Sequence, residues 1–443
     1  MNQSSQYTSQ VPGSSRILQE IEKNAVPLKD NRDLEKLIKN IADKKIVMLG
    51  ESSHGTEEFY KWRRLLSQEL IQHHGFSFIA VEGDWPPSAE LNRFVQGGTR
   101  TKAPEDALKS FQRWPTWMWA NTEIVRLAHW LKDYNKKEKQ KVGFFGLDVY
   151  SLFESIDEII KQLNSIDPDL AHHIQTQYAC FDPYQRDERT YARSLIQFPE
   201  GCEKQVLKAL TDLLNVRLDK MTRHSEKYFD ARQNARIVKN AEKYYRAMIQ
   251  GEEDSWNVRD RHMIETLDIL LNRHGENSKA IVWAHNTHIG DYRATPMLQE
   301  GQVNIGGLAR EQWGAEEVAL VGFGTYQGEV IASHAWDGPI EVMKVPPGRE
   351  QSYEAYFHEA SKHLREDSFY ICLNNSEILS ETYGHRAIGV VYDPEHERFG
   401  NYVPSSLSKR YDAFVFIDKT TALTPLKQDF KRDEIPETWP RGT

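Results

Sequence analysis

Five short apolar runs constrain this chain more than any other feature. They are KIVML (45–49), FSFIAV (76–81), VGFFGL (142–147), KAIVWA (279–284) and EVALVGF (317–323). Each is nearly continuous rather than alternating, the pattern of a strand buried on both faces. Segments of helical periodicity, such as 57–73 and 121–135, lie between them. Strand–helix alternation of this kind predicts an α/β fold: a mainly parallel sheet flanked by helices, with right-handed crossovers. FYICL (369–373) and AFVFI (413–417) add strands near the C-terminus, and the stripe Leu34, Leu37, Ile38, Ile41 marks an early amphipathic helix.

The 443 residues exceed the ~250–300 at which a single core stops growing, so a second domain or a large insertion is expected. Between Asp148 and Lys279 the strand signal disappears. Segments 152–164, 203–220, 230–249 and 257–273 read as helices. The organisation predicted is a disordered polar tail over 1–16 and an α/β domain over 17–443, with a helical insertion at about 152–274. A net charge of −9 leaves no whole-chain basic footprint for nucleic acid. No apolar run approaches the ~18 residues of a membrane helix. The first fifteen residues lack the apolar region of a signal peptide. Cys180, Cys202 and Cys372 are odd in number and widely spaced, which predicts free thiols and a cytoplasmic protein.

The ends of the strands carry the chemistry. The first runs into GESSHG (50–55), the second ends at Glu82, the third at Asp148, and the fourth at HNTH (285–288). In an open parallel sheet all carboxyl ends lie on one edge, where ligands bind. Glu51, His54, Glu82, Asp148, His285 and His288 can therefore converge despite their separation in sequence. The bland alternatives are a helix cap for Asp148 and a rim position for His288.

Arg63 adds an independent argument. The helix after His54 is expected to start at Thr56 as N-cap, with Glu57 and Glu58 at its positive end. Arg63 falls within the apolar stripe Phe59, Trp62, Leu66, Leu70, and Arg64 points the other way, to solvent. A guanidinium on a buried face needs an anionic partner, Glu51 or Glu82 by topology, unless it snorkels at the stripe edge. Acids, histidines and an arginine together suit hydrolysis by activated water: one histidine as base, a second or the arginine facing the developing oxyanion. The same acids and histidines also suit zinc or manganese, although an arginine among them disfavours a cation. HExxH, the GxSxG elbow and a phosphate-binding glycine loop are absent; the glycines of GFGTYQG (322–328) are read as turn residues.

GESSHGTEEF (50–59), AVEGDW (80–85), WPTWMW (114–119), FFGLDVYS (144–151), NVRDRHM (257–263) and VWAHNTHIGD (282–291) together resemble the erythromycin esterase family over roughly residues 35–420. The resemblance implies an α/β core with a helical shell and a cleft, and hydrolysis of an ester or macrolide lactone by histidine-activated water without a cofactor or required metal. By motif, the general base falls on His54 and its supporting acid on Glu51. Arg63, Glu82, His285 and His288 fill the remaining motif positions. Ser52 and Ser53 depart from the family's usual Ala or Ser followed by Thr. Some members carry a label tied to succinoglycan biosynthesis, which leaves an accessory role as the alternative function. The expected partner is a small ester or lactone, with no nucleic acid and no membrane.

Three further expectations concern the cleft. Trp114, Trp117 and Trp119 line a large apolar pocket or pack in the core, with Trp117 taken as a substrate contact. Asp148 and His288 are taken as substrate contacts as well. The insertion leans over the cleft as a wall or lid, which turns Arg259 or Arg261 inward, Arg261 being taken as the substrate contact.

Overall fold

The structure is a computed structural model in which residues 14–98, 101–216, 225–251, 254–373 and 376–426 are described. Eleven strands occur among them. β1 (Val26–Pro27), β2 (Ile46–Leu49), β3 (Phe78–Val81), β4 (Gly143–Gly146) and β5 (Ala280–Trp283) are short. β6 (Val318–Ala332) is long, and β7 (Glu341–Val345), β8 (Ser368–Cys372), β9 (Thr382–Arg386), β10 (Tyr402–Ser406) and β11 (Ala413–Thr420) follow. Nine form one sheet in the order β1-β8-β11-β6-β2-β5-β3-β4, with β7 alongside β6; β9 and β10 pair separately. From β11 to β4 every neighbour is parallel, and β1, β7 and β8 join antiparallel. The α/β reading of the sequence holds.

Side chains alternate across each central strand, so each strand feeds two cores. Val47, Leu49, Ile79, Val81, Ile281 and Trp283 enter one hydrophobic cluster. Ile46, Met48, Phe78, Ala80, Ala280 and Val282 enter the other. This double burial is why the runs read as continuously apolar. Between Leu152 and His274 the described elements are all helices, and many of their side chains form a third cluster running from Val149 to Val258.

Several details differ from the sequence reading. Residues 14–16 belong to the helix Ser14–Asn24, which buries Ile17 and Ile21, and not to a tail; residues 1–13 lie outside the described set. The helix expected over 203–220 is described as Glu203–Leu214. The glycines of 322–328 lie in β6, not in turns. A Cβ on Gly324 would sit 2.5 Å from the Phe414 ring, so glycine makes room for an aromatic side chain of β11. Cys180 and Cys202 are disulfide-bonded rather than free, because the helical segment folds their backbones to a Cα separation of 5.9 Å. Cys372 is buried and free. No helix among the described residues is long and apolar enough to cross a membrane.

The ends of β3 and β4 are packed without slack. A Cβ on Gly146 would lie 2.3 Å from the Gly83 carbonyl oxygen and 2.4 Å from that of Asp84. Gly146→Ala is expected to cost about 1–3 kcal/mol, the usual range for overpacking. Gly98→Ala, where the nearest atom would be 3.6 Å away, should stay within about 0.5 kcal/mol. Urea midpoints of the two variants check the contrast.

Candidate active site

Because β2, β5, β3 and β4 are neighbours in that order, Glu51, His285, Glu82 and Asp148 stand side by side on one edge. Asn286 staples the row. Its backbone N–H donates to the Glu51 carbonyl at 2.8 Å, and its side-chain amide donates to the Phe323 carbonyl on β6 at 2.7 Å. Gly50 permits this approach, since a Cβ there would meet Asn286 Oδ1 at 2.1 Å.

Two groups of side chains share this edge. In the first, Arg63 is fully buried in the helix Glu57–His74 and donates to Glu51 Oε2 at 2.6 Å. Its guanidinium also lies 4.3 Å from the Tyr60 ring and 4.8 Å from that of Trp283. The other oxygen of Glu51 accepts from His54 Nδ1 at 2.9 Å. His54 is 8% exposed, against 1% for Glu51 and none for Arg63. His54 is thus the most exposed side chain of this group.

In the second group Arg259, from the helix Ser255–His274, grips Asp148 with Nε at 2.9 Å and Nη2 at 2.7 Å. The same Nη2 donates to Glu82 Oε1 at 2.8 Å. Glu82 Oε2 accepts the backbone N–H of His285 at 2.8 Å. His288 lies between two acids, with Nδ1 2.9 Å from Asp260 and Nε2 3.3 Å from Glu82, and stacks on Trp256.

Electrostatics follow from these partners. Burial alone would raise the Glu82 carboxyl, but His288, Arg259 and His54 outweigh it and hold Glu82 well below the usual carboxylate range. Burial would likewise lower His288, yet Asp260 and Glu82 push it up to about 9. His288 Nε2 lies 3.1 Å from Arg259 Nη1. With His288 protonated this is a like-charge approach rather than a hydrogen bond, tolerated because Glu82 Oε1 lies against both. His285 behaves oppositely: burial, then the neighbouring His54, keeps it neutral, well below the usual imidazole range. The Thr287 backbone N–H donates to His285 Nδ1 at 3.2 Å, so the neutral ring carries its proton on Nε2. The His54 and His285 rings are 4.9 Å apart.

A cavity of about 350 Å³ adjoins Glu82 and Asp148, with Phe153, Glu154, Asp157, Arg186 and Glu188 of the helical segment in its wall. Neither His54 nor His285 lines it, so it approaches the row from the Glu82 side. Among the described residues no set of three or more His, Cys, Asp or Glu side chains is arranged to hold a metal ion.

The erythromycin esterase profile matches residues 71–420. The chain belongs to the erythromycin esterase family. It is 25% identical over 318 residues to erythromycin esterase type II of Escherichia coli, covering 68% of this chain and 73% of that one. It is 22% identical to the putative hydrolase YbfO of Bacillus subtilis (strain 168), covering 92% of each. The crystal structure of a succinoglycan biosynthesis protein superposes with a TM-score of 0.76 at 20% identity, over 94% of this chain and all of that one; it supports the fold alone. The profile of the erythromycin esterase family begins after Glu51, His54 and Arg63, so these three stand on geometry.

That geometry corrects several expectations for an erythromycin esterase site. Asp148 does not cap a helix; Arg259 donates to both its oxygens, and it stands at the wall of the cavity. His288 is buried between acids, so it holds a charge rather than a substrate. Trp117 is buried in a core cluster with no hydrogen-bond partner for its indole N–H, whereas Trp119 lines the cavity and donates to the Glu82 carbonyl at 3.0 Å. Arg261 is exposed, and it is Arg259 that turns inward. Helical phase was the available signal: Arg261, Glu265, Asp268 and Asn272 form one polar stripe. The expectation that Arg63 is buried and bonded to Glu51 or Glu82 is met at Glu51. Arg64 does not point freely to solvent, since its Nε donates to buried Glu123 at 2.7 Å. Thr56 sits at the N-cap position but its hydroxyl bonds to Ser53 instead.

Arg63→Ala would strand the buried Glu51 charge and is expected to cost roughly 3–5 kcal/mol. Arg64→Ala should cost less, because Glu123 keeps Arg126 as a partner. Denaturant titration of both variants measures the difference. For His288, a folded value of about 9 against an ordinary 6.5 means stabilisation that is complete below pH 6.5 and lost as pH rises through about 9. Unfolding midpoints followed across that window should fall in the parent protein and lose this slope in His288→Gln.

Proposed function

We propose that this protein is a hydrolase that cleaves a carboxylic ester or lactone with water activated by His54. The observation that carries the reading is the line Arg63–Glu51–His54, which ends in the most exposed imidazole of the row. Nδ1–H donates to the Glu51 carboxylate, so the Nε2 lone pair is left to take a proton from water. Arg63 is too deeply buried to meet substrate. It holds Glu51 in place, which keeps the acid oriented toward the imidazole as in other histidine-based hydrolases.

The neighbouring parts fit the same reaction. His285 is neutral and carries its proton on Nε2, which suits donation to a developing oxyanion. Glu82 is fully committed to Arg259, His288 and the His285 backbone. It acts as a fixed charge and not as a base. Water adds to the acyl carbon while His54 removes its proton. The proton then passes to the departing alkoxide as the acyl–oxygen bond breaks. Family membership and the hydrolase names of two relatives support this class of reaction.

His54→Asn should fold normally and lose on the order of 10²–10⁴ in kcat on a chromogenic ester, the usual range for removal of a general base. Near-normal turnover in the folded variant would remove His54 from the mechanism.

A further inference from the structure

His385, on β9, repeats in a closed form the pairing that Glu51 and His54 make at the active edge. Its Nδ1 lies 2.7 Å from Glu354 Oε1, and both side chains are buried. Glu354 comes from the helix Tyr353–Leu364, and the same oxygen accepts the backbone N–H of Arg386 at 2.9 Å. Its other oxygen is buried without a hydrogen-bond partner among the described residues. A half-satisfied buried charge is a poor device for stability, which turns attention to what its bonded oxygen holds. On the far side of the ring, His385 Nε2 lies 3.3 Å from the side-chain amide nitrogen of Asn286. Asn286 is the residue that ties β2, β5 and β6 together beside Glu51.

Every hydrogen bond in this line has a fixed direction. The Asn286 amide nitrogen only donates, so His385 Nε2 must accept. A neutral imidazole with its lone pair on Nε2 carries its proton on Nδ1, where the Glu354 carboxylate accepts it. Asn286 spends one amide hydrogen on the Phe323 carbonyl at 2.7 Å and the other on His385, while its Oδ1 accepts the Phe323 N–H at 3.3 Å. A half-turn of that amide would set like against like at all three contacts. Arg410 Nη2 completes the fixation by donating to the Asn286 carbonyl at 3.1 Å.

We propose that Glu354 and His385 are positioning residues of the active edge: they lock the Asn286 amide and, through its bonds to Glu51 and Phe323, set the stance of Glu51 toward His54. The effect on turnover rests on hydrolysis by His54; the locked arrangement does not. The charged groups around His385 are Glu354, Arg386 and Arg410, with the rings of Tyr411 and Phe414 packed against it. Burial outweighs Glu354, and the two arginines add to it, so the imidazole is held below its usual range and stays neutral near pH 7. A proton on Nε2 would point at an N–H and release Asn286.

Nitrogen NMR of the imidazoles in the full chain, with His385→Gln to identify the ring, tests the lock. The expected ring is neutral and protonated on Nδ1 from about pH 7 to about pH 8. A charged ring in that window, or a proton on Nε2, would overturn it. Leucine at this position removes the acceptor, whereas glutamine can face Asn286 with its carbonyl and Glu354 with its amide. His385→Leu is therefore expected to shift the His54 and His285 signals. It should also lower kcat on a chromogenic ester roughly ten- to hundredfold with KM within about twofold, the scale of a small misplacement of reacting groups. His385→Gln should keep kcat within about threefold of the parent and leave the two signals in place. His385→Asn, too short to reach both partners, gives the same comparison where leucine prevents folding. Unchanged signals and kcat in the folded leucine or asparagine variant, or equal losses in these and the glutamine variant, would overturn the positioning role. If the parent hydrolyses no ester, the hydrolytic reading fails and the spectra still decide the lock.

Discussion

The active edge depends on one guanidinium. Arg259 makes two hydrogen bonds to Asp148 after β4 and a third to Glu82 after β3. Glu82 in turn fixes the backbone of His285 after β5. Three strand ends are thereby held in register by a side chain that arrives from a helix of the segment between β4 and β5. A buried network of this kind is tolerable only when its charges match and its hydrogen bonds are made. The Asp148 carboxylate, Glu82, Asp260, Arg259 and protonated His288 together come close to that balance. The geometry of the row is thus coupled to the docking of the helical segment.

Two histidines three residues apart in HNTH illustrate how neighbours assign roles. His285 meets Thr287 and the imidazole of His54 and is kept neutral. His288 meets Asp260 and Glu82 and is kept charged. The two strand-end glutamates divide in the same way. Glu51 spends one oxygen on Arg63 and the other on the His54 imidazole, the arrangement that the proposed reaction uses to orient its base. Both oxygens of Glu82 are committed inward, so it anchors. Environments that push like residues apart are the usual means by which one site holds both acids and bases.

The helical segment does more than cover a sheet face. It contributes Arg259 to the row and Phe153, Glu154, Asp157, Arg186 and Glu188 to the adjoining cavity. Its Cys180–Cys202 bond and its own hydrophobic cluster give it internal cohesion.

What the sequence determined alone was local and periodic. Continuous apolar runs marked β2 to β6, because strands buried on both faces cannot alternate. Ionisable residues just past them marked the active edge, since parallel strands share a carboxyl end. Helical phase placed Arg63 inside, and the same phase could have separated Arg259 from Arg261. What only tertiary structure decided was pairing. The insertion of β5 between β2 and β3 set His285 between Glu51 and Glu82. Arg64 found Glu123 across two helices, Arg113 gathered Asp84, Glu154 and Glu188, and Cys180 met Cys202. Trp117 and Trp119, two residues apart, both pack in one core cluster, and only Trp119 also reaches the cavity. Periodicity reports which face of an element is buried. The identity of the group across that face depends on chain segments far away, and for charged side chains that identity sets both protonation and role.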